Sequence, residues 1–411
     1  MNTNRKILID KYFGRPVVIL FNLLARLLGF LLKRNHHLTE NTRCICICKF
    51  VGMGSIIQST PLISTLKNNY PASKIVYLTS ENNRALIGKI KPIDCAIYID
   101  DSGLWPTLKS TVIAFFQLLK LKPSCFIDLE IYSNFSTIIS TLSCANNRLG
   151  FFRKDNAILM GIYTHMLSFN INAPIAKVYL QMARLLGCKE ITETLYAFET
   201  TEVNKNEKLS GIGKKPFIVI NPNASDLRIE RRWDKINFIK LISSLLNKLP
   251  FYNIVLIGSK NEADYVNQIK SEIDDARLLN TCGQLNLDEL FSLIKNAALM
   301  ITNDTGPMHV AFAMKTKTIG LFGPCSPMQY GQFENAWCVY KKLYCSPCVH
   351  EFLLPPCGGN NQCMALITVD EVFSLADKVL HNAEIKIDVP SDFNFTSTIN
   401  QFPFGLVKRT S

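Results

Sequence analysis

The sequence predicts two doubly wound α/β domains, each built on a parallel sheet. Short apolar runs alternate with helix-length segments from Arg43 onward, and the alternation restarts after a polar stretch at 200–215. Strands that are separated by helices form right-handed crossovers, which place the strands parallel. The length of 411 residues suits two such domains with extensions at the ends.

Eight apolar runs are predicted to be strands. Four lie in the first half, at 44–50, 74–80, 95–100 and 125–130, and four in the second, at 217–223, 253–258, 299–304 and 318–324. Helices are predicted over 55–69, 104–121 and 234–249, and from about residue 262.

Composition excludes several classes of protein. Hydrophobic residues make up 48% of the chain, which is too apolar for a disordered protein. The net charge of +12 favours anionic partners, but no run of like charges and no strip of basic and aromatic residues indicates nucleic-acid binding. The 14 cysteines and the lack of a clean secretory signal predict a cytoplasmic protein with mostly free thiols.

The amino-terminal segment carries an apolar run at 16–32, which is at the lower length limit for a membrane span. Asn22 and Arg26 interrupt this run. Basic residues flank it on both sides: Lys11, Arg15, Lys33 and Arg34. The pattern favours a helix that lies in the membrane interface, with a helix packed on the protein's own body and a true span as alternatives.

The first strand–helix junction contains Gly52, Gly54 and Ser55. Two glycines there allow the backbone to approach a ligand, and the N–H groups of the following helix can bind an anion. A tight turn that serves only packing is equally consistent. The third glycine of a dinucleotide fingerprint is missing, which argues against a Rossmann oxidoreductase.

Charged residues follow two strands of the second half. Arg228, Arg231 and Arg232 come after the strand at 217–223 and are suited to hold a diphosphate, although a solvated basic loop is an alternative. Glu262 follows Gly258 on the first turn of a predicted helix. Its carboxylate can bind ribose hydroxyls or stabilise the helix dipole.

The sharpest motif is NDTGPMH at 303–309. A strand delivers Asp304 and Thr305 to the sheet edge, Gly306 permits close approach, and Pro307 suits the first turn of a helix. The N–H groups of that helix then point at an anion. His309 is predicted to face the same site.

Four cysteines cluster in a loop-like stretch at 345–363. Cys345, Cys348, Cys357 and Cys363 follow the spacing C-x2-C-x8-C-x5-C, so that four thiolates could hold a structural zinc ion. The spacing is not that of a standard zinc ribbon. Disulfides and free or packing thiols remain as alternatives.

Together these motifs resemble glycosyltransferase family 9, whose best-known members are ADP-heptose:lipopolysaccharide heptosyltransferases. The matching segments are 52–71, 220–233, 257–262 and 303–324, in the family's order. The resemblance spans roughly residues 43–372, about four-fifths of the chain, and D-T-G-P-x-H followed by F-G-P is its most specific part.

The resemblance implies a GT-B fold, in which two Rossmann-like domains face a cleft and transfer a sugar with inversion and without a bound metal. It implies that Arg231 contacts the donor diphosphate and that Glu262 binds the donor ribose. Further donor contacts are expected from the D-T-G-P-x-H motif: Asp304, Thr305, Gly306, Pro307, Met308 and His309. His309 is also a candidate catalytic residue. Cations and helix N–H groups would stabilise the departing diphosphate.

Ser55 departs from the family pattern. Many heptosyltransferases have an aspartate there as the general base, and a serine hydroxyl does not accept a proton near neutral pH without an activating neighbour. Asp128 and Glu130, at the end of another strand of the same domain, are the predicted substitutes. Asp100 and Asp101 rank behind them.

The predicted organisation has five parts. They are a membrane-associating amphipathic segment (1–40), an acceptor-side domain with the loop Gly52–Gly54–Ser55 (41–199), a linker (200–215), a nucleotide-sugar-binding domain (216–385) and a tail (386–411).

The predicted protein is a metal-independent glycosyltransferase at the inner face of the cytoplasmic membrane. It would move a sugar, heptose being one candidate, from an ADP-heptose-like donor to a lipid-linked glycan such as the lipopolysaccharide core. It needs no cofactor, and its expected partners include the anionic membrane surface but no nucleic acid. A catalytically silent nucleotide-sugar-binding or scaffold protein is the alternative.

Overall fold

The computed structural model describes residues 8–38, 42–200, 209, 211–212, 214–224, 226–349 and 357–382. The chain divides into two compact units. The first contains Met1–Ile171 and Ala176–Thr194, and the second contains Asn172–Ile175 and Leu195–Lys386. The expected linker at 200–215 lies partly, and the expected tail at 386–411 wholly, outside the described residues.

The first unit is built on a parallel six-stranded sheet with the order β3-β2-β1-β4-β5-β6. Every residue of β1 is buried, as expected for a central strand covered by helices on both faces. The strands are β1 (Cys44–Cys48), β2 (Lys74–Ser80), β3 (Cys95–Ile99), β4 (Cys125–Asp128), β5 (Asn147–Phe152) and β6 (His165–Ser168).

Six α-helices accompany this sheet: α1 (Arg15–Leu32), α2 (Met53–Asn69), α3 (Arg84–Ile87), α4 (Leu104–Leu121), α5 (Asn134–Leu142) and α6 (Ile175–Leu185). A short π-helical turn (Asp10–Gly14) precedes α1, and 3₁₀ turns lie at Glu81–Asn83 and Lys154–Leu159. Helices α4 and α5 cover the same sheet face, because Ala114, Leu118 and Ile139 pack in one cluster with inward residues of the strands.

The second unit repeats the design with the strand order β12-β11-β10-β7-β8-β9, and its strand pairs are parallel. Its strands are β7 (Phe217–Asn221), β8 (Asn253–Leu256), β9 (Leu278–Asn280), β10 (Leu299–Asn303), β11 (Thr318–Phe322) and β12 (Ala336–Tyr340). Its α-helices are α7 (Lys235–Lys248), α8 (Ala263–Ser271), α9 (Leu287–Asn296), α10 (Gly306–Ala313), α11 (Pro327–Tyr330), α12 (Gln362–Ala365) and α13 (Val369–Leu380). Turns of 3₁₀ helix occupy Asp226–Arg231 and Lys260–Glu262.

The predicted fold class is confirmed, and all eight predicted strands are present. Four further strands were not predicted, namely β5, β6, β9 and β12. All four reach or adjoin a sheet edge, and three of them carry polar residues, as in the four-residue β6 (HMLS) and the three-residue β9 (LLN). Their apolar runs are too short to stand out in the sequence.

Helix α1 lies against the first unit through a narrow strip of its surface. Val18 is buried in a cluster with Ile162 and Tyr163. One turn on, the Asn22 side-chain amide donates to the backbone carbonyl of Ile158. Another turn on, Arg26 donates to Asn22 Oδ1 at 2.7 Å and to the backbone carbonyl of Met160 at 2.8 Å. The i, i+4 spacing places all three contacts on one side of the helix.

Asp10 fixes the start of this segment. Its carboxylate accepts hydrogen bonds from the backbone N–H groups of Asn134 at 2.9 Å and Phe135 at 2.7 Å, at the beginning of α5. Burial raises the pKa of Asp10, and these two hydrogen bonds partly oppose that rise. The polar residues that interrupt the apolar run therefore attach α1 to the body of the first unit.

Candidate functional site

The side chain of Asn303 organises the carboxyl end of β10. Its amide donates to the backbone carbonyls of Pro222 and Asn223, both at 3.0 Å. Its Oδ1 accepts from the backbone N–H of Trp233 at 3.1 Å. One buried amide therefore joins β10 to the loop that follows β7 and to the segment that carries Arg231.

Thr305 and Gly306 stand at the amino end of α10. The Asn221 amide donates to Thr305 Oγ1 at 2.8 Å and to Thr302 Oγ1 at 3.1 Å. Thr305, Gly306 and Pro307 are partly exposed, whereas Asp304 before them is buried. The first N–H groups of a helix lack intrahelical partners and carry the positive end of the helix dipole. This end of α10 is thus open to an anion.

Arg231 lies beside this helix end. Its Nη1 is 3.4 Å from Asp304 Oδ2 and also donates to the Asp304 backbone carbonyl at 3.4 Å. Its Nε is buried and has no hydrogen-bond partner among the described residues. A buried, unpartnered guanidinium donor is costly unless a ligand satisfies it. The guanidinium stays charged at all ordinary pH values, so it offers a cation and an unused N–H group together.

His309 is 5% exposed and packs edge-on against Phe312 and Tyr330, with ring centroids 5.9 Å apart in each pair. Its Nε2 is 3.9 Å from Asp304 Oδ1, too far for a hydrogen bond. Burial lowers the pKa of His309 to about 4, although the charge of Asp304 acts in the opposite direction. The imidazole is therefore neutral near pH 7.

The remaining predicted donor residues occupy different settings. Met308 is fully buried in a cluster with Phe312 and Phe322. Glu262 Oε2 accepts from the backbone N–H of Ser259 at 2.7 Å and completes a capping box. The structure thus shows the helix-stabilising role that the sequence left open for Glu262; ribose binding stays a prediction.

The three arginines after β7 do not act alike. Arg232 stacks on Tyr265, with its guanidinium carbon 4.2 Å from the ring centroid, and Arg228 interrupts the 3₁₀ turn with a non-helical backbone conformation. Arg231 is the one that forms an ion pair with the D-T-G-P motif in the described part of the chain, through Asp304.

The loop after β1 turns at Gly52, whose φ of +88° lies in the region that favours glycine. Gly54 is buried in the first turn of α2, and the Ser55 hydroxyl is hydrogen-bonded to the phenol of Tyr179. Burial raises the pKa of Tyr179, so this phenol does not serve as a base that activates Ser55.

Glu130 holds this loop in place. Its Oε1 accepts from the backbone N–H groups of Phe50 at 2.7 Å and Val51 at 3.0 Å. Its Oε2 forms an ion pair with Lys49 at 2.9 Å, and both side chains are nearly buried. Asn83 adds a bond to the Phe50 carbonyl at 2.9 Å. These contacts support a positioning role for Glu130, while its predicted role as base is untested.

Asp128 has no exposed surface. It accepts from the Tyr163 hydroxyl at 2.6 Å and from the Glu130 backbone N–H at 2.9 Å. Burial raises its pKa to about 7, against the effect of these hydrogen bonds. A carboxyl group in this position reaches no substrate without rearrangement, so the structure lends no support to Asp128 as the base. Asp100 and Asp101 are partly exposed beyond β3.

The four cysteines of the 345–363 stretch line one small cavity. Burial raises the pKa of Cys348 and Cys363, and the neighbouring thiols add to the effect. None of the described residues forms a group of three or more His, Cys, Asp or Glu side chains with the geometry to hold a metal ion. All four cysteines are free thiols in the structure. The zinc site stays a prediction that this arrangement does not support.

The predictions from sequence missed several residues that build the two sites. Asn303 and Lys49 had a signal, because each lies directly beside a recognised motif at a strand end. Tyr179 and Tyr330 had none, since they come from distant segments and meet the sites only through the fold.

Comparison with known proteins agrees with this architecture. The family model for glycosyltransferase family 9 (heptosyltransferase) matches residues 135–354. Lipopolysaccharide heptosyltransferase 3 of Escherichia coli K12 is 26% identical over 344 residues, which cover 80% of this chain and 95% of that protein.

Two solved structures share the fold at 19% identity. A family 9 glycosyltransferase from Veillonella parvula has a TM-score of 0.70 and covers 85% of this chain and 100% of its own. The E. coli ADP-heptose lipopolysaccharide heptosyltransferase II has a TM-score of 0.66 and covers 83% of this chain and 99% of its own.

Two six-stranded parallel sheets, one in each unit, are the architecture of the GT-B fold. The family match spans 220 of the 411 residues. The chain accordingly belongs to glycosyltransferase family 9 and is an enzyme of that family, which confirms the family predicted from the motifs.

The buried carboxyl of Asp128 generates a prediction about stability. Because burial raises its pKa from the ordinary 3.8 to about 7, the folded state favours the protonated form. The stability that this preference contributes is fully present below about pH 4 and is lost as the pH rises through 7. We expect Asp128→Asn to gain up to about 4 kcal/mol in unfolding free energy relative to wild type at pH 8, and little at pH 4, as measured by urea denaturation.

Asp94→Asn is the matched control, because the pKa of Asp94 is lowered in the fold beside Lys67, although its burial acts in the opposite direction. It should lose stability at pH 8 instead. If the unfolding free energy of Asp128→Asn depended on pH as that of wild type does, the inference that Asp128 is buried in its protonated form would be wrong.

The Glu130–Lys49 pair generates a prediction that separates a base from a positioning residue. Glu130→Gln should lower the unfolding free energy by about 3 kcal/mol, because it leaves Lys49 buried without a counter-charge. Adding Lys49→Met removes that charge, while the amide oxygen of the substituted glutamine side chain would still accept from Phe50 and Val51. If Glu130 only positions the loop, we expect the double variant to recover stability and to keep at least about a third of the wild-type kcat. Removal of a general base would instead lower kcat by at least about a hundredfold. A stable double variant without activity would instead identify Glu130 as the base.

Proposed function

We propose that this enzyme transfers heptose from an ADP-heptose-like donor to a lipid-linked glycan acceptor, with the lipopolysaccharide core as the candidate acceptor, and that it inverts the anomeric centre. The names of its relatives support the sugar and the acceptor: one is a lipopolysaccharide heptosyltransferase and another an ADP-heptose lipopolysaccharide heptosyltransferase.

The observation that carries the proposal is the unpartnered Nε of Arg231 beside the open end of α10. Breaking the bond between sugar and diphosphate leaves negative charge on the diphosphate. Hydrogen-bond donors that point at that charge stabilise the transition state more than the ground state. In this proposal Arg231 and the N-terminal N–H groups of α10 act together on the diphosphate.

The other motif residues take supporting roles in this proposal. Asp304 orients Arg231, and the partly exposed Thr305, Gly306 and Pro307 form the surface against which the phosphates lie. His309, being neutral, contributes a hydrogen bond to the departing group or the sugar rather than a charge. Met308 stabilises the motif by packing against Phe312 and Phe322.

The proposal places the reaction at the inner face of the cytoplasmic membrane, where α1 lies in the lipid interface. By length and composition alone, Asp10–Leu32 would suffice to cross a membrane. The contacts of Val18, Asn22 and Arg26 with the first unit argue against a span. They leave the other apolar side chains of α1 exposed, as the interface requires. No cofactor has a role in the proposed reaction, and the cysteine loop takes no part in it.

Nucleotide release tests the proposal. ADP formation from ADP-heptose is measured with a lipopolysaccharide-core glycolipid extract as acceptor, and with other nucleotide-sugars for comparison. We expect acceptor-dependent release from ADP-heptose. Arg231→Gln should lower kcat/KM by about a hundredfold or more, because a charged hydrogen-bond donor to the departing diphosphate is lost. Lys235→Gln removes a charge a few residues away, from a side chain bonded to Gln268, and should stay within about twofold of wild type.

Two results would contradict the proposal. Nucleotide release from a different nucleotide-sugar, and not from ADP-heptose, would show that the proposed donor is wrong. ADP binding without release from any donor, in the presence of an acceptor that a known heptosyltransferase uses, would favour the catalytically silent scaffold.

A further inference from the structure

Helix α4 presents an apolar surface that the proposed reaction does not use. Trp105 is 81% exposed, and Leu108, Val112 and Phe116 extend the surface at helical spacing. The opposite side of the helix is buried in the core through Ala114 and Leu118. Four large apolar side chains on one helix face, exposed to water, indicate a binding surface.

Helix α1 joins the layer of helices to which α4 belongs. Helices α4 and α5 cover one face of the sheet. Helix α1 packs in turn on α5 and the Lys154–Leu159 turn, partly through Val18 and Ile138. Most apolar side chains of α1 point away from this contact and are exposed, among them Leu20, Leu23, Leu27, Phe30 and Leu31.

The charges within the two helical segments have one sign. Neither segment 11–38 nor segment 104–122 contains an Asp or Glu. Asp10, just before the first segment, is occupied by the backbone N–H groups of α5. Asp100 and Asp101, just before the second segment, are partly exposed. Exposed basic residues border the apolar surfaces of both helices: Lys11, Arg15, Lys33, Arg34, Lys109, Lys120 and Lys122.

We propose that α1 and α4 together form one membrane-binding surface that seats the first unit on an anionic lipid bilayer. Apolar side chains enter the interface, and the bordering lysines and arginines contact lipid phosphates. A second copy of the chain fits less well. The two helical segments carry basic residues and no acidic residue of their own, so that two copies would bring like charges together. This inference deepens the proposed function, on which it rests, because a lipid-linked acceptor would be met at that bilayer.

Trp105 provides a direct probe of the surface. The intact chain is mixed with phosphatidylethanolamine vesicles that either contain or lack phosphatidylglycerol, and tryptophan emission is recorded. We expect a shift to shorter wavelength with the anionic vesicles and none in Trp105→Phe, because the other two tryptophans, Trp233 and Trp337, lie inside the second unit's core or against it. No shift, or a shift that persists in Trp105→Phe, would overturn the role of α4.

Vesicle flotation measures how much α4 contributes. Trp105→Gln with Phe116→Gln should reduce the vesicle partition constant by about tenfold or more, since two aromatic side chains no longer enter the interface. The matched control is Phe251→Gln with Tyr344→Gln, which removes two exposed aromatic residues elsewhere and should bind as wild type. Equal binding of both double variants would contradict the proposal.

ADP binding without lipid separates this inference from the proposed function. The α4 variant should bind ADP as wild type does. A wild-type chain that binds anionic vesicles and yet releases no nucleotide would refute the transferase proposal while supporting the surface. A chain that releases nucleotide but ignores vesicles would refute the surface alone.

Discussion

The buried amide of Asn303 is the interaction on which the second unit's site depends. A parallel sheet brings strand ends to one edge, but it does not fix the loops that leave them. Asn303 satisfies two backbone carbonyls and one backbone N–H from the segment after β7. Those bonds hold the segment that contains Arg231 against the beginning of α10. An amide suits this task because it donates and accepts at once.

The first unit solves a similar problem with a charged group. Glu130 follows β4 in the sequence. Its carboxylate accepts two backbone N–H groups and forms an ion pair with Lys49, all from the segment after β1. A nearly buried ion pair adds little net stability, but it is costly to break. It therefore keeps one loop conformation, turned at Gly52, in front of Ser55. In both units a polar side chain at one strand end fixes the neighbouring strand's loop.

Much of this organisation is predictable from the sequence. The alternation of apolar runs and helices is enough for two parallel sheets, and D-T-G-P-x-H is specific enough for the family. The strand-end positions of Asp128 and Glu130 are predictable too, but their surroundings are not. Alternation along a strand does not tell that Asp128 is enclosed by Tyr163, or that Glu130 meets Lys49 some eighty positions away. Those facts depend on contacts between distant segments.

The exposed face of α4 shows the converse case. Its helix was predicted with the right bounds, and the apolar spacing of Trp105, Leu108, Val112 and Phe116 is visible in the sequence. Periodicity alone assigns such a face to the core. Only the structure shows that Ala114 and Leu118 fill the core side, which leaves the larger apolar face in water.

A crystal structure of the chain with ADP would test the proposed role of Arg231 and α10 most directly. We predict that the diphosphate lies at the amino end of α10, with a phosphate oxygen within hydrogen-bond distance of Arg231 Nε and of a backbone N–H group near Gly306. A diphosphate bound away from α10, with Arg231 Nε still unpartnered, would contradict it.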